Sequence, residues 1–279
     1  ADTSPPLRGT IFNNSLILLG SYSVGIQLYD ANITNVSFNN INTSSTGSDG
    51  IYALRSGNIT VKYNLIKSIL GKGMVLSRSP NSIISENNFT THEVGSYTFE
   101  GSEISGSLIA FNNLTNYGAS GLILYLNGYS ENVTVTGNEL NTNGSNNFGL
   151  GIYRVNSSLF SYNKIYHTGS PWGYGIVIDT GTAKNIILNN NISVSHTLTG
   201  PWEIRDDNND AGFVNYLIYN NTYGEIKWID NGTGSFLRNM DVVGAIGLDM
   251  NLYIRNNSIL FNSSAIISGP LNYTPANIT

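Results

Sequence analysis

The chain has no cysteine among its 279 residues, and only 11% of those residues are charged. Without cysteine the fold cannot use disulfides or thiolate ligands, so packing and hydrogen bonds must hold it together. The 18 acidic residues outnumber the 13 basic ones, and the basic ones form no cluster, which argues against a nucleic-acid partner. No apolar run approaches the roughly 18 residues that a membrane-spanning helix requires.

What the chain does contain is an asparagine that returns about every 25 residues, each time two positions before a large apolar residue. A fixed period of this size indicates a repeat architecture, in which each repeat forms one structural unit stacked on its neighbours. The regular members of the series are Asn14, Asn39, Asn64, Asn87, Asn112, Asn138, Asn163 and Asn190.

A second signature, a glycine followed by apolar, any and apolar residues, comes after most of these asparagines. Gly25-Ile26-Gln27-Leu28 and Gly175-Ile176-Val177-Ile178 are examples. Alternation with a period of two over three to five residues predicts short strands with one buried and one exposed face. Gly, Asn and Ser between them predict turns, and no segment shows a capped helical period.

This repeat resembles the right-handed parallel β-helix, and more narrowly the short-repeat β-helices of the NosD-like or CASH type found in many secreted and archaeal surface proteins. The resemblance implies an all-β solenoid of about ten rungs forming a single domain over residues 1–279. Regular rungs are expected at about 10–195, with looser rungs and an insertion, centred on 231–250, at about 196–265, and with short terminal tails. In that family stacked asparagines form an internal ladder of amide hydrogen bonds. The ladder carried over to this chain is Asn14, Asn39, Asn64, Asn87, Asn112, Asn138, Asn163 and Asn190.

Ionisable groups are scarce, so few residues are candidates for chemistry. Alternation predicts one outward patch on successive rungs, made by Asp179, Glu203, Arg205 and Lys227. Two carboxylates on such a face are the groups that glycosidic bond cleavage needs, with Asp179, Glu203, Asp206 and Asp207 as the candidates. The alternative is a ladder of salt bridges beside a solvated loop.

Metal sites have weaker support. Asp206, Asp207 and Asp210 supply the oxygen ligands that Ca²⁺ prefers, but their spacing matches no standard calcium loop. The three histidines are too far apart along the chain to predict a zinc site by themselves. No cofactor is expected.

Tyrosines are predicted on the outward positions of one strand family, at Tyr29, Tyr52, Tyr125 and Tyr153. Exposed aromatic rings on a flat sheet can contact sugar rings or a protein partner. The alternative interpretation is ordinary aromatic filling of a β surface.

Acceptor motifs for N-glycans, Asn-x-Ser/Thr, occur more often than the composition alone predicts. The first residues, beginning at Ala1, have neither a basic nor an apolar leader, which is the form expected of a processed secreted protein. We therefore expect an exported glycoprotein. The predicted acceptors are Asn32, Asn58, Asn132, Asn143, Asn156, Asn231, Asn262 and Asn272.

Three hypotheses of function follow. The first is a secreted, glycosylated structural protein that assembles with copies of itself into a cell-surface layer, sheath or extracellular filament. It rests on the sparse charge, the acceptor motifs and the lack of any catalytic signature. The second is a carbohydrate-active enzyme, either a polysaccharide lyase or a glycosidase. The third is a carbohydrate-binding adhesin that uses the tyrosines.

Overall fold

The computed structural model describes residues 8–169, 173–179, 181–182, 184–188 and 190–194, together with the backbone of strands at 202–206, 215–218, 226–227, 240–243 and 252–253. Within these residues every regular element is a strand, and every strand pair is parallel. The chain winds into a solenoid in which each rung adds one strand to each of three sheets. The predicted all-β parallel solenoid is therefore confirmed.

Sheet A contains ten strands and begins each rung. Its strands are Gly9–Phe12 (β1), Thr34–Ser37 (β4), Thr60–Lys62 (β7), Ile83–Ser85 (β10), Leu108–Ala110 (β13), Thr134–Thr136 (β17), Leu159–Ser161 (β21), Ile186–Leu188 (β24), Asn215–Ile218 (β27) and Met240–Val243 (β29).

Sheet B contains eight strands and follows sheet A in each rung. Its strands are Ser15–Leu18 (β2), Asn40–Thr43 (β5), Leu65–Ser68 (β8), Asn88–Thr91 (β11), Asn113–Asn116 (β14), Glu139–Thr142 (β18), Lys164–His167 (β22) and Asn191–Val194 (β25).

Sheet C also contains eight strands and completes each rung. Its strands are Val24–Tyr29 (β3), Asp49–Leu54 (β6), Met74–Ser77 (β9), Tyr97–Ser102 (β12), Leu122–Asn127 (β15), Phe148–Ile152 (β19), Tyr174–Ile178 (β23) and Trp202–Asp206 (β26). Two small pairs stand apart, Ser130–Glu131 (β16) with Val155–Asn156 (β20), and Ile226–Lys227 (β28) with Leu252–Tyr253 (β30).

The core consists of apolar side chains stacked from rung to rung. In sheet C one such row contains Ile51, Met74, Phe99 and Leu124, which pair in register and have no exposed surface. Each such side chain stabilises the fold by about 1.5–3 kcal/mol through burial. The glycine of the second signature makes this stacking possible, because a Cβ on Gly25 would lie 2.6 Å from the carbonyl oxygen of Gly50 on the next rung.

The bend between sheets A and B contains a continuous ladder of asparagines, from Asn14 to Asn190. The Nδ2 group of each donates to the Oδ1 of the next at 2.9–3.0 Å. The backbone N–H of each donates to the same Oδ1 at 2.9–3.0 Å. Asn112 also donates to the carbonyl oxygens of Ile84 and Ala110, so its buried amide is fully used. The ladder thus satisfies buried turn amides that would otherwise destabilise the bend.

Part of the segment marked as an insertion belongs to a sheet. β29 lies inside residues 231–250 and pairs in register with β27, with Asn215 opposite Met240. The other residues of that segment, and most of the predicted looser part at 196–265, lie outside the described residues. The division into regular and looser rungs therefore stays a prediction.

Candidate functional site

The outer face of sheet C contains one row of side chains that point away from the core. In register along the solenoid axis, the row consists of Gln27, Tyr52, Val75, Glu100, Tyr125, Gly151 and Val177. Neighbouring positions are about 4.8 Å apart, the usual spacing of hydrogen-bonded strands. Gly151 is the one member of this row without a side chain, so it leaves a gap between Tyr125 and Val177.

This gap is the floor of a surface groove with a volume of about 260 Å³, which we call the Gly151 groove. The residues that line it are Tyr97, Leu122, Tyr125, Phe148, Gly151, Ile152, Tyr153, Val177 and Asp179. Four of these nine residues are aromatic, and Asp179 is the one with a carboxyl group in its side chain. A glycine beside large rings is what creates a concave site on an otherwise flat sheet.

The aromatic walls are held by ring contacts between rungs. Tyr97 and Tyr125 stack with centroids 4.9 Å apart and ring planes 26° apart. Phe148 and Tyr174 stack at 5.0 Å with nearly parallel planes. Gly151 follows Tyr125 in the row and has no ring that could continue the stack. The groove therefore begins beside the Tyr125 ring.

The phenol of Tyr125 is kept neutral by its surroundings. Burial raises the pKa of Tyr125 above its usual value, and the nearby Tyr97, Glu100 and Asp179 raise it further, because each disfavours the phenolate. A side-chain hydrogen bond with Asn127 acts in the opposite direction. The phenol is therefore available as a hydrogen-bond donor at neutral pH.

Charged groups lie beside the aromatic wall, on the side toward the N-terminal rungs. Lys72 forms an ion pair with Glu100, and its Nζ lies 5.2 Å from the centroid of the Tyr97 ring. The carboxylate of Asp49 accepts a hydrogen bond of 2.9 Å from the backbone N–H of Lys72. Burial nevertheless raises the pKa of Asp49, and Glu100 adds to this, while Lys72 lowers it. These groups extend the polar part of the face by two rungs.

One cation lies at the far end of the groove. The guanidinium of Arg154 lies 4.7 Å from the ring centroid of Tyr153 and 5.1 Å from that of Tyr129. Such contacts hold the charge against aromatic faces at the bend. The guanidinium also covers one face of the Tyr153 ring, and Tyr153 is itself part of the groove lining.

The predicted tyrosines fall at different places. Tyr125 and Tyr153 line the groove, whereas Tyr52 lies three rungs from Tyr125 in the same row. Tyr29 lies under the guanidinium of Arg55, at 4.4 Å, and is remote from the groove.

The predicted catalytic carboxylates are only partly described. Asp179 borders the groove, and β26 places Asp206 opposite Ile178 and Arg205 opposite Val177. Glu203 lies in the same strand between Trp202 and Ile204, whose partners are Tyr174 and Ile176. The side chains of β26 lie outside the described residues, as do Asp207 and Asp210. Lys227 pairs with Tyr253 in the separate β28–β30 pair, so the register does not place it beside Asp179.

The structure describes only some of the predicted metal and glycan positions. Within the described residues no group of three or more His, Asp or Glu side chains is arranged to hold a metal ion. Asn32, Asn58, Asn132 and Asn143 are exposed, and Asn156 is half-buried. Asn231, Asn262 and Asn272 lie outside the described part of the chain. No helix among the described residues is long and apolar enough to cross a membrane.

Sequence reasoning missed Tyr97, Lys72, Glu100 and Gly151. The rung at 97–102 has Thr98 where most rungs have the signature glycine, so the motif does not mark its outward positions. Counting about 25 residues from the neighbouring rungs would have aligned Glu100 with Tyr125. Gly151 was visible as a second glycine within Gly149-Leu150-Gly151-Ile152.

Comparisons with known proteins agree with the solenoid. A family model described as "Right handed beta helix region" matches residues 24–192, whereas no curated protein matches the chain. A solved structure of a double mutant of the periplasmic alginate epimerase AlgG is similar, with a TM-score of 0.52 and 15% identity, covering 95% of this chain and 69% of that chain. At this identity the similarity concerns the fold.

Two phage proteins are more distant. The Dettilon tailspike protein gives a TM-score of 0.44 at 11% identity, covering 96% of this chain and 60% of its own. A mutant tailspike protein of E. coli bacteriophage HK620 in complex with a pentasaccharide gives 0.31 at 13% identity, covering 94% of this chain and 52% of its own.

Proposed function

The chain belongs to the right-handed β-helix family, and we propose that it is an extracellular protein that binds a neutral glycan in the Gly151 groove. The observation that carries the proposal is the gap at Gly151, bordered by the aromatic wall of Tyr125 and Phe148 and by the carboxylate of Asp179. Such a site combines apolar ring surface with a few polar groups that fix orientation, as small-ligand sites do. This develops the adhesin hypothesis.

The size of the groove favours a single sugar ring as the unit bound. Its volume of about 260 Å³ is below the roughly 300–1,000 Å³ of sites for larger ligands. The flat sheet on both sides of it leaves room for the rest of a chain to continue along the surface. The Tyr125 phenol and the Asp179 carboxylate offer a donor and an acceptor for sugar hydroxyls.

The charges on this face favour a neutral glycan over an acidic one. Lys72 is already paired with Glu100, and Arg154 lies over tyrosine rings at the bend. The carboxylates of Asp49 and Asp179 would repel a polyanion. Recognition of acidic groups usually requires clustered Arg or Lys with open donors. The name of the epimerase therefore suggests no substrate for this chain, because alginate is acidic.

The spacing of the carboxylates favours binding over hydrolysis. Glu100 and Val177 are three rungs apart in one row, about 14 Å at 4.8 Å per rung, and Asp179 follows Val177 by two residues. Glycosidases hold their two carboxyl groups about 5–5.5 Å or 6.5–9.5 Å apart. Glu100 and Asp179 therefore do not form such a pair.

Binding is tested by isothermal titration of the purified chain with dextran, mannan and xylan as neutral probes and with alginate as an acidic probe. We expect saturable binding of at least one neutral probe and weaker binding of alginate. Preference for alginate, or no binding of any probe on a broader glycan array, would contradict the proposal.

A second candidate function is the carbohydrate-active enzyme, because β26 lies one rung beyond Asp179. The strand that contains Glu203 and Asp206 pairs with the strand that precedes Asp179, with Arg205 opposite Val177 in the outward row. The residues proposed for this activity are Asp179, Glu203, Asp206 and Asp207. Release of reducing ends or unsaturated products from the same polysaccharides would support it. Unchanged activity after replacing all four residues by their amides would exclude it.

Assembly into a surface layer, sheath or filament stays a prediction, as does the narrower NosD-like or CASH subtype with archaeal origin. We rank this assembly behind glycan binding, because the groove supplies a specific site. Electron microscopy of material isolated from the native source tests it, and ordered arrays with the repeat of this subunit are the expected result if it is right. Dispersed monomers would count against it.

N-glycosylation of the chain is also proposed, with Asn58 and Asn132 as the best acceptors. Both are exposed and lie at the same bend of the solenoid, with φ of 56° and 55°. Peptide mass spectrometry of native material should show glycan at both positions. Unmodified asparagine at all of Asn32, Asn58, Asn132 and Asn143 would contradict the predicted export and modification.

A further inference from the structure

One edge of the solenoid presents exposed aromatic rings along its length, at the bend between sheets A and B. We call the set the aromatic ridge, and it consists of Phe12, Phe38, Tyr63, Phe111 and Tyr162. Their exposed fractions range from 45% to 66%, so these rings are not part of the core.

Four of the five residues have backbone conformations that large side chains normally avoid. Phe38, Tyr63, Phe111 and Tyr162 have φ of 54–57°, in the left-handed region. Steric contact of Cβ with the backbone disfavours this region for L-residues, and Asn or Gly usually occupies such turns. Strained backbone of this kind is concentrated at functional sites.

The bend between sheets C and A provides an internal comparison. Its left-handed positions include Asn58, Asn81, Gly106 and Asn132, but also Ile33, Ser157 and Lys184. Residues of many kinds therefore occupy left-handed positions in this chain. What distinguishes the ridge is that four of its left-handed positions carry exposed aromatic rings.

The orientation of the rings argues against sugar binding on the ridge. Phe38 and Tyr63 stack on each other with centroids 5.0 Å apart and planes 23° apart, and Phe12 meets Phe38 edge to face at 5.5 Å. In this group of three rings, Phe38 and Tyr63 cover one face of each other, and the edge of one ring meets the face of the other between Phe12 and Phe38. A sugar ring needs an open aromatic face, whereas another row of rings can interlock with edges.

The area and charge of this edge fit a second copy of the chain. Five rings that are about half exposed leave roughly 100 Å² each. Beside them an outward row on sheet A contains Ile83, Leu108, Leu159 and Ile186, of which Ile83 and Ile186 are 38% exposed. Together these approach the roughly 800 Å² per partner of a standard stable interface.

Two charged residues of opposite sign lie beside the aromatic ridge among the described residues. Glu86 shares its left-handed column and is hydrogen-bonded to the Tyr63 side chain, and Lys62 lies in the same row as Phe12. A second copy also has the same axial repeat of about 4.8 Å per rung, so its rings can stay in step with these over several rungs.

We propose that the aromatic ridge is the contact surface of a homodimer, in which two solenoids associate edge to edge through the same patch. An isologous contact of this kind is closed and limits assembly to two copies. It leaves the Gly151 groove of sheet C open on each copy. The proposal is independent of whether that groove binds a glycan.

The test replaces Phe38 and Phe111 by asparagine together. Asparagine suits the left-handed backbone, so the Phe38→Asn, Phe111→Asn variant should unfold at the same or a higher temperature. Sedimentation velocity from 1 to 100 μM should show a dimer for the unchanged chain and at least tenfold weaker association for the variant. The matched control is Tyr22→Asn, which removes an 80% exposed ring with φ of 56° away from the ridge and should leave the dimer unchanged.

Several results would overturn the proposal. These are a monomeric unchanged chain at 100 μM, a variant that dimerises normally, or a Tyr22→Asn control that loses the dimer. A large fall in melting temperature with the dimer retained would assign the rings to folding. Flotation of the unchanged chain with phosphatidylcholine vesicles, abolished in the variant, would assign the ridge to a lipid surface.

Discussion

Tyr125 lies directly opposite Gly151 in the parallel register of sheet C, and a Cβ on Gly151 would lie 3.0 Å from Cδ2 of the Tyr125 ring. The bare backbone at Gly151 is therefore what keeps the groove open beside the aromatic wall. The same Cβ would lie only 2.3 Å from Cδ2 of Leu122, so the Leu122 side chain would have to shift to admit it.

Filling the gap should weaken binding, because a side chain at Gly151 displaces Leu122 and Tyr125 from their places in the groove. In the Gly151→Val variant a β-branched side chain, favourable in a strand, occupies the groove. We expect at least tenfold weaker binding of the neutral probe in isothermal titration. The matched control is Gln27→Val, at the equivalent position of the same row, and it should bind as the unchanged chain does. Equal binding by both variants would place the glycan elsewhere.

The ring and the hydroxyl of Tyr125 should contribute separately. Tyr125→Ala removes the ring that stacks on Tyr97, so we expect a loss of binding of tenfold or more. Tyr125→Phe keeps the ring and removes one donor, which should cost about 0.5–1.5 kcal/mol of binding free energy. Tyr52→Ala, three rungs away in the row, is the control. If Tyr52→Ala weakened binding as much as Tyr125→Ala, the site would have to extend over the whole row.

Breaking the asparagine ladder should reduce the stability of the whole solenoid. Asn112→Ala removes the Oδ1 that accepts from the backbone N–H and the Nδ2 of Asn87, both buried. The Asn87 side chain keeps its bonds to Val61 and Ser85, but the buried backbone N–H of Asn87 loses its acceptor. This loss, with that of the Asn112 amide itself, should lower the free energy of unfolding by about 2–4 kcal/mol, measured by urea denaturation. Asn88→Ala, at an exposed position of β11, should change it by less than about 0.5 kcal/mol. Similar values for the two variants would contradict the structural role of the ladder.

The dependence of stability on pH should show the effect of burying the Asp49 carboxyl group. Its pKa is raised from 3.8, so the folded chain holds this proton more tightly than the unfolded chain. The contribution of Asp49 to stability is therefore greatest below pH 3.8 and decreases as pH rises through the raised pKa. The Asp49→Asn variant should accordingly have a higher melting temperature than the unchanged chain at pH 7 and the same one near pH 3.

Asp30 provides the control of opposite sign for this experiment. The hydrogen bond from Arg55 lowers the pKa of Asp30, so its contribution is present at neutral pH and is lost in acid. Asp30→Asn should lower the melting temperature at pH 7, and this effect should shrink as the pH falls below 3.8. A fall at pH 7 in both variants would show that burial does not penalise the charge of Asp49.

The repeat, and with it the solenoid, can be recognised from the amino-acid sequence alone. The residues two positions after the asparagines from Asn39 to Asn190, such as Ile66, Phe89 and Leu114, are buried, because a strand alternates its faces and a bend precedes each one. The signature glycines mark places where the next rung's backbone leaves no room for a side chain. Both features depend on residues that are close together in the chain, so the sequence of a single repeat reveals them.

The contacts between outward residues of different rungs become known only from the folded chain. Asn64 and Asn87 are 23 residues apart, whereas Asn112 and Asn138 are 26 apart, so the spacing along the chain does not give the register between rungs. The pairing of Tyr125 with Gly151, the ion pair of Lys72 with Glu100 and the stacked rings of the ridge all join different rungs. Contacts of this kind depend on the register that hydrogen bonds between rungs impose on each strand. The sequence pattern within one rung does not specify that register.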